Sequence, residues 1–150
     1  DEFKMLIGEK TSEHIKMMIG SAAPGEEGEE MTVKGRDLVT GLPREAVITD
    51  VDIREAMYNP ISQIIEATKE VLETTPPEVL SDIMQKGITL SGGGALIRNL
   101  PILLQTQLKV PITVADDPLT CVARGTGVIL EDIALYKDVV IQNTDDISFR

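Results

Sequence analysis

Three consecutive glycines at positions 92–94 are the residues whose types and spacing most suggest chemistry. They follow the short apolar run 88–90 and precede a stretch with helical character. Each glycine inside a regular element costs about 0.5–1 kcal/mol relative to alanine, so the run favours a tight turn that a ligand approaches closely. At a helix start, free N–H groups face a phosphate or sugar oxygen. A tight turn with no ligand explains the same residues.

The glycine turn matches neither of two common phosphate-binding motifs. A Walker A loop ends in Gly-Lys-Ser or Gly-Lys-Thr, and neither follows here. The G-x-G-x-x-G spacing of dinucleotide-binding proteins fails after Gly94. The turn by itself therefore predicts no particular class of ligand.

Glu13 and Lys16 form a second candidate pair, because a spacing of three residues places both on one helix face. One interpretation is a surface ion pair worth at most about 0.5 kcal/mol. The other is a polar binding site, in which the glutamate accepts hydrogen bonds from hydroxyl or amino groups of a ligand and the lysine lies along a ring or ribose of that ligand. His14 is expected to point elsewhere into solvent. Asp116 and Asp117 precede Pro118 and suit either a turn and helix cap or a site at a strand end.

Composition limits the classes of function. The 150 residues carry a formal net charge of −11, which argues against a nucleic-acid surface and against electrostatic docking on anionic lipid. The single cysteine, Cys121, excludes an internal disulfide and lies in an apolar run that predicts burial. No cluster of cysteine, histidine and carboxylates has metal-ligand spacing. With no signal peptide or membrane-length apolar run, we expect a cytosolic protein of one domain or two small subdomains.

Apolar periodicity predicts the α/β elements that position these residues. The first half is predicted to contain the end of an apolar helix at 3–7, a helix from Thr11–Ser12 to Gly20, a solvated acidic loop at 21–30, and a hairpin of strands 31–37 and 42–48. A long helix capped by Asp50 or Asp52 follows, with a kink or two abutting helices at Pro60.

The second half is predicted to contain a β-α-β unit with parallel strands. Its elements are a short helix at 78–84, strands at 88–90 and 110–114 joined by a helix at 95–108, a last helix at 119–135, and a tail from 136. Gly125 and Gly127 inside the last helix are interpreted as sites of close packing.

Several longer segments resemble the MreB family of bacterial actins. The resemblance runs from about residue 3 to about residue 133, and it rests on the segments 6–11, 19–22, 34–44, 75–78, 91–96 and 117–127 in the family's order and spacing. It implies an α/β fold, namely an incomplete domain II of an actin-like ATPase (ribonuclease H-like). Residues 1–59 would resemble subdomain IIB, residues 60–135 the C-terminal part of subdomain IIA, and residues 136–150 a tail.

The resemblance also implies an ATP site in a cleft between two halves of a filament protein. The glycine turn would pack against the nucleotide, while a helix would close over adenine and ribose with Glu13 and Lys16 as polar contacts. The implied nucleotide-binding residues are Ser12, Glu13, His14, Ile15, Lys16, Gly92, Gly93, Gly94 and Ala95. No catalytic residue and no metal ligand is expected, because the first phosphate loop and the Asp-x-Gly-Gly-Gly-Thr hairpin of the family do not occur in these residues. We therefore expect no ATPase activity from this chain alone, and weak or absent ATP binding.

The resemblance further implies a cytoplasmic, membrane-associated filament that maintains rod shape by organising cell-wall synthesis. The expected partners are other filament subunits and a RodZ-like membrane protein, with no nucleic acid and no direct membrane contact. In the family the missing hairpin would pair with the sheet that contains strand 88–90, so an open apolar edge there predicts dimerisation, domain swapping or a rearranged partner strand. The alternatives are another ATP-binding protein of the superfamily, such as a sugar kinase or an Hsp70-like chaperone, and an unrelated nucleotide-binding module.

Overall fold

The computed structural model describes residues 3–25 and 28–137 of the chain. The elements are, in chain order, β1 (Met5–Leu6), α1 (Glu9–Ile19), β2 (Glu30–Asp37), β3 (Pro43–Thr49), α2 (Asp50–Thr74), α3 (Pro77–Lys86), β4 (Ile88–Leu90), a 3₁₀ turn (Gly93–Leu96), α4 (Leu100–Leu108), β5 (Ile112–Val114) and α5 (Cys121–Glu131). The α/β class is confirmed. The predicted tail from residue 136 lies almost wholly outside the described residues.

The first sheet is antiparallel, in the order β1-β2-β3. The predicted hairpin is confirmed, and Gly41 adopts a φ of +74° in its loop, a conformation that favours glycine. The predicted helix end at residues 3–7 is wrong, because Met5 and Leu6 pair with Asp37 and Arg36 as a strand. Partly buried and exposed side chains alternate from Phe3 to Ile7, which is the period of a strand.

The start of α1 differs from the prediction. The helix begins at Glu9 after Gly8, with no side-chain cap, so the predicted capping hydroxyls at Thr11 and Ser12 lie inside the helix. The predicted end at Gly20 is confirmed, and its N–H donates to the Lys16 carbonyl oxygen at 3.0 Å.

The long helix α2 is a single 25-residue element that includes Pro60. Of the two alternatives predicted at Pro60, two abutting helices are therefore excluded and a kink stays a prediction. The N-cap position is occupied by Thr49 rather than by Asp50 or Asp52, but the Asp52 carboxylate takes part in the cap from three residues further on.

The second sheet contains β4 and β5 in the predicted parallel pairing. The predicted helix 95–108 is wrong in its first part. A 3₁₀ turn of four residues ends at Leu96, Asn99 adopts the left-handed conformation with φ +60°, and α4 begins only at Leu100. Pro101 then lies in the first turn of α4, where its missing N–H and fixed φ are favourable.

The last helix, α5, is shorter than predicted and lies on a more open surface. A Cβ built at Gly125 or Gly127 would meet no atom within 4 Å among the described residues, so the expected close packing is not present. Cys121 is partly exposed rather than buried. Its thiol lies 3.5 Å from the Asp117 carbonyl oxygen.

Two apolar clusters form the core. The sheet cluster contains the buried residues Ile15, Ile19, Val33 and Ile48. The α4 cluster contains the buried residues Ala22, Ile61, Ile65, Leu100, Leu104, Val110 and Ile112. Helix α2 reaches both, because Ile53 packs on the sheet cluster while Met57 packs on the α4 cluster.

Candidate functional site

A cavity of about 800 Å³ lies between α1, the three-stranded sheet and the first turns of α2. We call it the α1–α2 cavity. Its apolar lining includes side chains of the sheet cluster, namely Ile15, Val33 and Ile48, which are 2–5% exposed. Its volume lies within the range of small-molecule sites.

The polar lining of the α1–α2 cavity comes from one face of α1 and from the start of α2. Its members are Glu9, Ser12, Glu13, Lys16, Asp52 and Glu55. Residues 9, 12, 13 and 16 recur at helical spacing, so a single helix face supplies most of them. Among the described residues, neither Glu13 nor Lys16 forms an ion pair. Both side chains therefore remain available to a ligand, and the surface ion pair considered from the sequence is not formed.

The other residues of the predicted α1 segment have different positions. Ile15 lines the cavity as part of the buried sheet cluster. His14 is exposed and does not line the cavity. The segment that was predicted to contact a nucleotide thus offers one cavity-facing surface made of Ser12, Glu13 and Lys16.

The glycine turn lies outside the α1–α2 cavity. Gly92 has φ +83°, and its N–H donates to the Pro118 carbonyl oxygen at 2.7 Å. A Cβ at Gly93 would lie 3.3 Å from Leu119, whereas Gly94 has open space around it and Ala95 is buried. The turn is too short to form the helix N-terminus that the sequence suggested. It therefore allows close approach to the backbone at Gly94 but provides no helix dipole.

A set of polar contacts, which we call the polar junction, joins the end of α1 to the residues after the glycine turn. Ser21 pairs with Arg98 in a parallel bridge, and the Ala22 N–H donates to the Arg98 carbonyl oxygen at 2.8 Å. The Asn99 side-chain amide donates to the Ser21 hydroxyl at 3.0 Å and to the Ala23 carbonyl oxygen at 3.2 Å.

The Arg98 guanidinium completes the polar junction. Its Nε donates to the Gly20 carbonyl oxygen at 3.3 Å, and its Nη2 pairs with the Glu29 carboxylate. The hydrogen bond from Arg98 lowers the pKa of the Glu29 carboxyl and raises that of Arg98 itself. Ser21 is 4% exposed, so the prediction of a solvated loop from residue 21 is wrong at its start.

The polar junction is not predictable from the sequence. Its partners are 69 to 78 positions apart in the chain, and periodicity reports only local neighbours. The one local signal is the series Asn99-Leu100-Pro101, which is typical of a helix start and marks Asn99 as a residue outside the helix. Glu9, Asp52 and Glu55 were also missed as lining residues, because they come from the starts of two helices that are far apart in the sequence.

Within residues 3–25 and 28–137, no group of three or more His, Cys, Asp or Glu side chains is placed to hold a metal ion. Over the same ranges, no helix combines the length and the apolar character needed to cross a bilayer.

Comparison with known proteins identifies the family. The MreB/Mbl protein family model matches residues 1–138. The cell shape-determining protein Mbl of Bacillus cereus is 48% identical over 132 residues, which are 88% of this chain and 40% of that protein. The cell shape-determining protein MreB of Escherichia coli is 50% identical over 131 residues, which are 87% of this chain and 38% of that protein. The chain thus spans about two fifths of the length of the curated relatives it matches.

Solved structures support the same assignment. The crystal structure of MreB 5 of Spiroplasma citri bound to AMPPNP superposes with a TM-score of 0.85 at 41% identity, covering 91% of this chain and 41% of that one. The MamK double helical filament shares the fold, with a TM-score of 0.62 at 21% identity over 77% of this chain and 35% of that one. The fold is therefore that of part of an actin-like ATPase domain, and the chain belongs to the MreB/Mbl protein family.

Proposed function

We propose that this chain provides the adenosine side of an ATP site in an actin-like filament protein that maintains rod cell shape by organising cell-wall synthesis. The observation that carries the proposal is the pair Glu13 and Lys16, which line the α1–α2 cavity from one face of α1 and form no ion pair among the described residues. The nucleotide-bound MreB 5 structures, solved with AMPPNP and with ADP, support a nucleotide as the ligand.

The charges of the cavity favour the nucleoside over the phosphates. Four carboxylates line it beside a single lysine, Lys16. A triphosphate would be repelled by these carboxylates, whereas the hydroxyls of a ribose and the amino group of adenine are donors that a carboxylate accepts. Apolar side chains such as Ile53 and Met57 offer a surface for the base.

The second wall of the proposed site is the glycine turn, Gly92 to Ala95. It contributes backbone at Gly94, where no side chain intervenes. In this proposal residues 1–59 correspond to a IIB-like subdomain and residues 60–135 to part of a IIA-like subdomain, with the nucleoside between their facing surfaces.

We further propose that these 150 residues do not hydrolyse ATP by themselves. Phosphoryl transfer depends on clamps for the phosphates and the metal. The Asp-x-Gly-Gly-Gly-Thr phosphate hairpin of the family does not occur in the sequence. Filament subunits and a RodZ-like membrane protein are the proposed partners, and the cytoplasm is the proposed location.

Calorimetric titration of the chain with ATP, adenosine and tripolyphosphate tests the nucleoside proposal. Adenosine and ATP should bind with similar affinities in the millimolar range, and tripolyphosphate should give no heat of binding. Tripolyphosphate binding as tight as that of ATP, or no response to adenosine, contradicts the proposal. Magnesium-dependent release of phosphate by the purified chain contradicts the absence of hydrolysis.

Light scattering tests self-association. Among the described residues, β4 pairs only with β5, so each strand has one unpaired edge. Such edges pair readily with another chain. A dimer or larger species is therefore expected, and a monodisperse monomer contradicts this expectation.

A further inference from the structure

The sheet cluster and the α4 cluster are joined at two places along the described chain. One is α2, which extends from Ile53 in the first cluster to Ile65 in the second. The other is the three-residue passage from Ile19, in the sheet cluster, to Ala22, in the α4 cluster. Helix α2 packs on both clusters, and the second connection adds a further constraint on how α1 is oriented relative to the glycine turn.

The polar junction holds that second connection. The main-chain bond from Ala22 to Arg98 is supplemented by the bond from Arg98 Nε to the Gly20 carbonyl oxygen at 3.3 Å. The same guanidinium pairs with Glu29, which lies at the start of the first β-hairpin. The Arg98 side chain therefore contacts the end of α1 and the residue before β2. The Arg98 backbone itself belongs to the segment after the glycine turn.

Arg98 is close in sequence to the glycine turn, which is one wall of the proposed nucleotide site. It bonds to Gly20, which is close in sequence to Lys16 on the other wall. Arg98 lies three positions after Ala95, and the Gly20 carbonyl that it binds lies four positions after Lys16. Gly20 leaves no room for a side chain at the end of α1, because a Cβ there would lie 2.2 Å from the Lys16 carbonyl oxygen. A planar guanidinium holds its donors in a rigid fork that aims at two acceptors, whereas the three donors of an ammonium group rotate freely and are not held in one plane.

Asn99 adds two hydrogen bonds between the same segments, and these bonds depend on a strained backbone. Its φ of +60° is a conformation that asparagine adopts at lower cost than most residues. In this conformation its amide reaches the Ser21 hydroxyl and the Ala23 carbonyl oxygen. The strain at Asn99 is offset by two hydrogen bonds to the partly buried passage between the clusters.

We propose that Arg98 is a positioning residue, which, with Asn99, fixes α1 against the glycine turn so that Glu13 and Lys16 face the same nucleoside as Gly94. The nucleotide part of this inference rests on the proposed function. The geometric part concerns the chain without ligand and is tested separately.

The geometric test measures the distance between α1 and the glycine turn by electron spin resonance. Spin labels are attached at His14→Cys and Gly94→Cys in a Cys121→Ser background, since His14 is exposed and Gly94 has open space. Arg98→Gln should broaden the distribution of distances. Arg44→Gln is the matched control, because Arg44 also binds a carboxylate, Asp37, and a backbone carbonyl, that of Phe3, but within the first sheet alone.

Arg98→Lys distinguishes positioning from charge. Lysine retains the positive charge beside Glu29 but lacks the planar fork that reaches Gly20 at the same time. The broad distribution should therefore persist in Arg98→Lys. A residue that only stabilised the fold would lower the melting temperature and leave the distances unchanged below it. Unchanged distances in Arg98→Gln, or equal broadening in Arg44→Gln, overturn the proposal.

The functional test titrates ATP into the unlabelled wild type, Arg98→Gln and Arg44→Gln. Arg98→Gln should weaken binding about tenfold, as expected for the loss of a charged hydrogen bond that orients one wall. Arg44→Gln should bind as the wild type does. If the wild type binds no ATP, the proposed function fails while the distance measurement still decides whether Arg98 positions α1. Wild-type affinity for ATP in Arg98→Gln, together with broadened distances, overturns the proposal that the polar junction positions α1 for the nucleotide.

Discussion

Thr49 and Asp52 bind each other reciprocally across the first turn of α2. The Asp52 N–H donates to the Thr49 hydroxyl oxygen at 3.3 Å, and the Asp52 carboxylate accepts from the Thr49 N–H at 2.7 Å. Thr49 is also the last residue of β3. The cap therefore fixes the point at which the hairpin turns into the helix that spans both clusters.

Replacement of this cap should destabilise the chain. Thr49→Ala removes the side-chain acceptor and is expected to cost about 1–2 kcal/mol of unfolding free energy. Urea denaturation measures the loss. Thr68→Ala in the same helix is the control, because the Thr68 hydroxyl only bonds back to the Ile64 carbonyl oxygen and is expected to contribute little. Equal losses in the two variants would show that the cap has no special role.

Two neighbouring isoleucines of α2 should differ in their contribution to the core. Ile65 is 7% exposed in the α4 cluster, whereas Ile64 is 53% exposed. Ile65→Ala should cost about 2–5 kcal/mol through lost burial and a cavity, and Ile64→Ala less than about 1 kcal/mol. Chemical denaturation of both variants gives the comparison. Similar losses would mean that α2 packs with a different face from the one described.

The elements with strong local patterns were predictable from the sequence. Alternation predicted both hairpin strands, and two apolar runs, 88–90 and 110–114, predicted β4 and its parallel partner β5. Local patterns failed where a segment had the composition of a helix but a backbone held in another conformation by distant residues. The segment 95–99 looks helical by composition, but Asn99 takes a left-handed conformation that side-chain bonds to Ser21 and Ala23 favour. No periodicity reveals such a non-local reason.

The candidate site divides in the same way. Spacing alone placed Glu13 and Lys16 on one helix face, and both line the α1–α2 cavity. Spacing could not show that Asp52 lines the cavity from α2, because that depends on how two helices pack. The sequence also gave no sign of the Arg98–Glu29 ion pair, which joins positions 69 residues apart. The hypothesis of a nucleotide ligand came from the family resemblance. The geometry of the α1–α2 cavity depends on tertiary packing.

Gly35 should tolerate no side chain. A Cβ there would lie 2.6 Å from the Leu6 carbonyl oxygen and 2.7 Å from Met5 Cγ, so Gly35→Ala is expected to separate β1 from β2. The expected cost is about 1–3 kcal/mol. Hydrogen exchange at Met5 and Leu6 should accelerate. In Gly125→Ala, by contrast, the new methyl group meets open space within a helix and should stabilise the chain by about 0.5–1 kcal/mol. Protection of Leu6 unchanged by Gly35→Ala would contradict the register.

Asp37 should make the stability of the chain depend on pH. Hydrogen bonds from the backbone N–H groups of Thr40 and Val39, with the Arg44 guanidinium, lower the pKa of its carboxyl. A lowered folded-state pKa means that the stabilisation is complete above the ordinary value of 3.8 and is lost as the pH falls through the folded-state pKa. Urea midpoints should fall as the pH is lowered from about 4 through the folded-state pKa of Asp37 in the wild type, and less so in Asp37→Asn. Glu45→Gln, which breaks an exposed ion pair on the same hairpin, should retain the wild-type dependence on pH.

Lys16 and Lys10 provide a matched test of the cavity as a nucleoside site. Both are exposed lysines of α1, but only Lys16 lines the α1–α2 cavity. Lys16→Gln and Glu13→Gln should each weaken adenosine binding about fivefold to tenfold, because each removes a charged partner of a ligand hydroxyl or ring. Lys10→Gln should bind adenosine as the wild type does, since it changes the net charge by the same amount as Lys16→Gln at a position away from the cavity. Equal weakening by Lys10→Gln and Lys16→Gln would assign the effect to overall charge and remove the support for this face of α1 as the nucleoside wall.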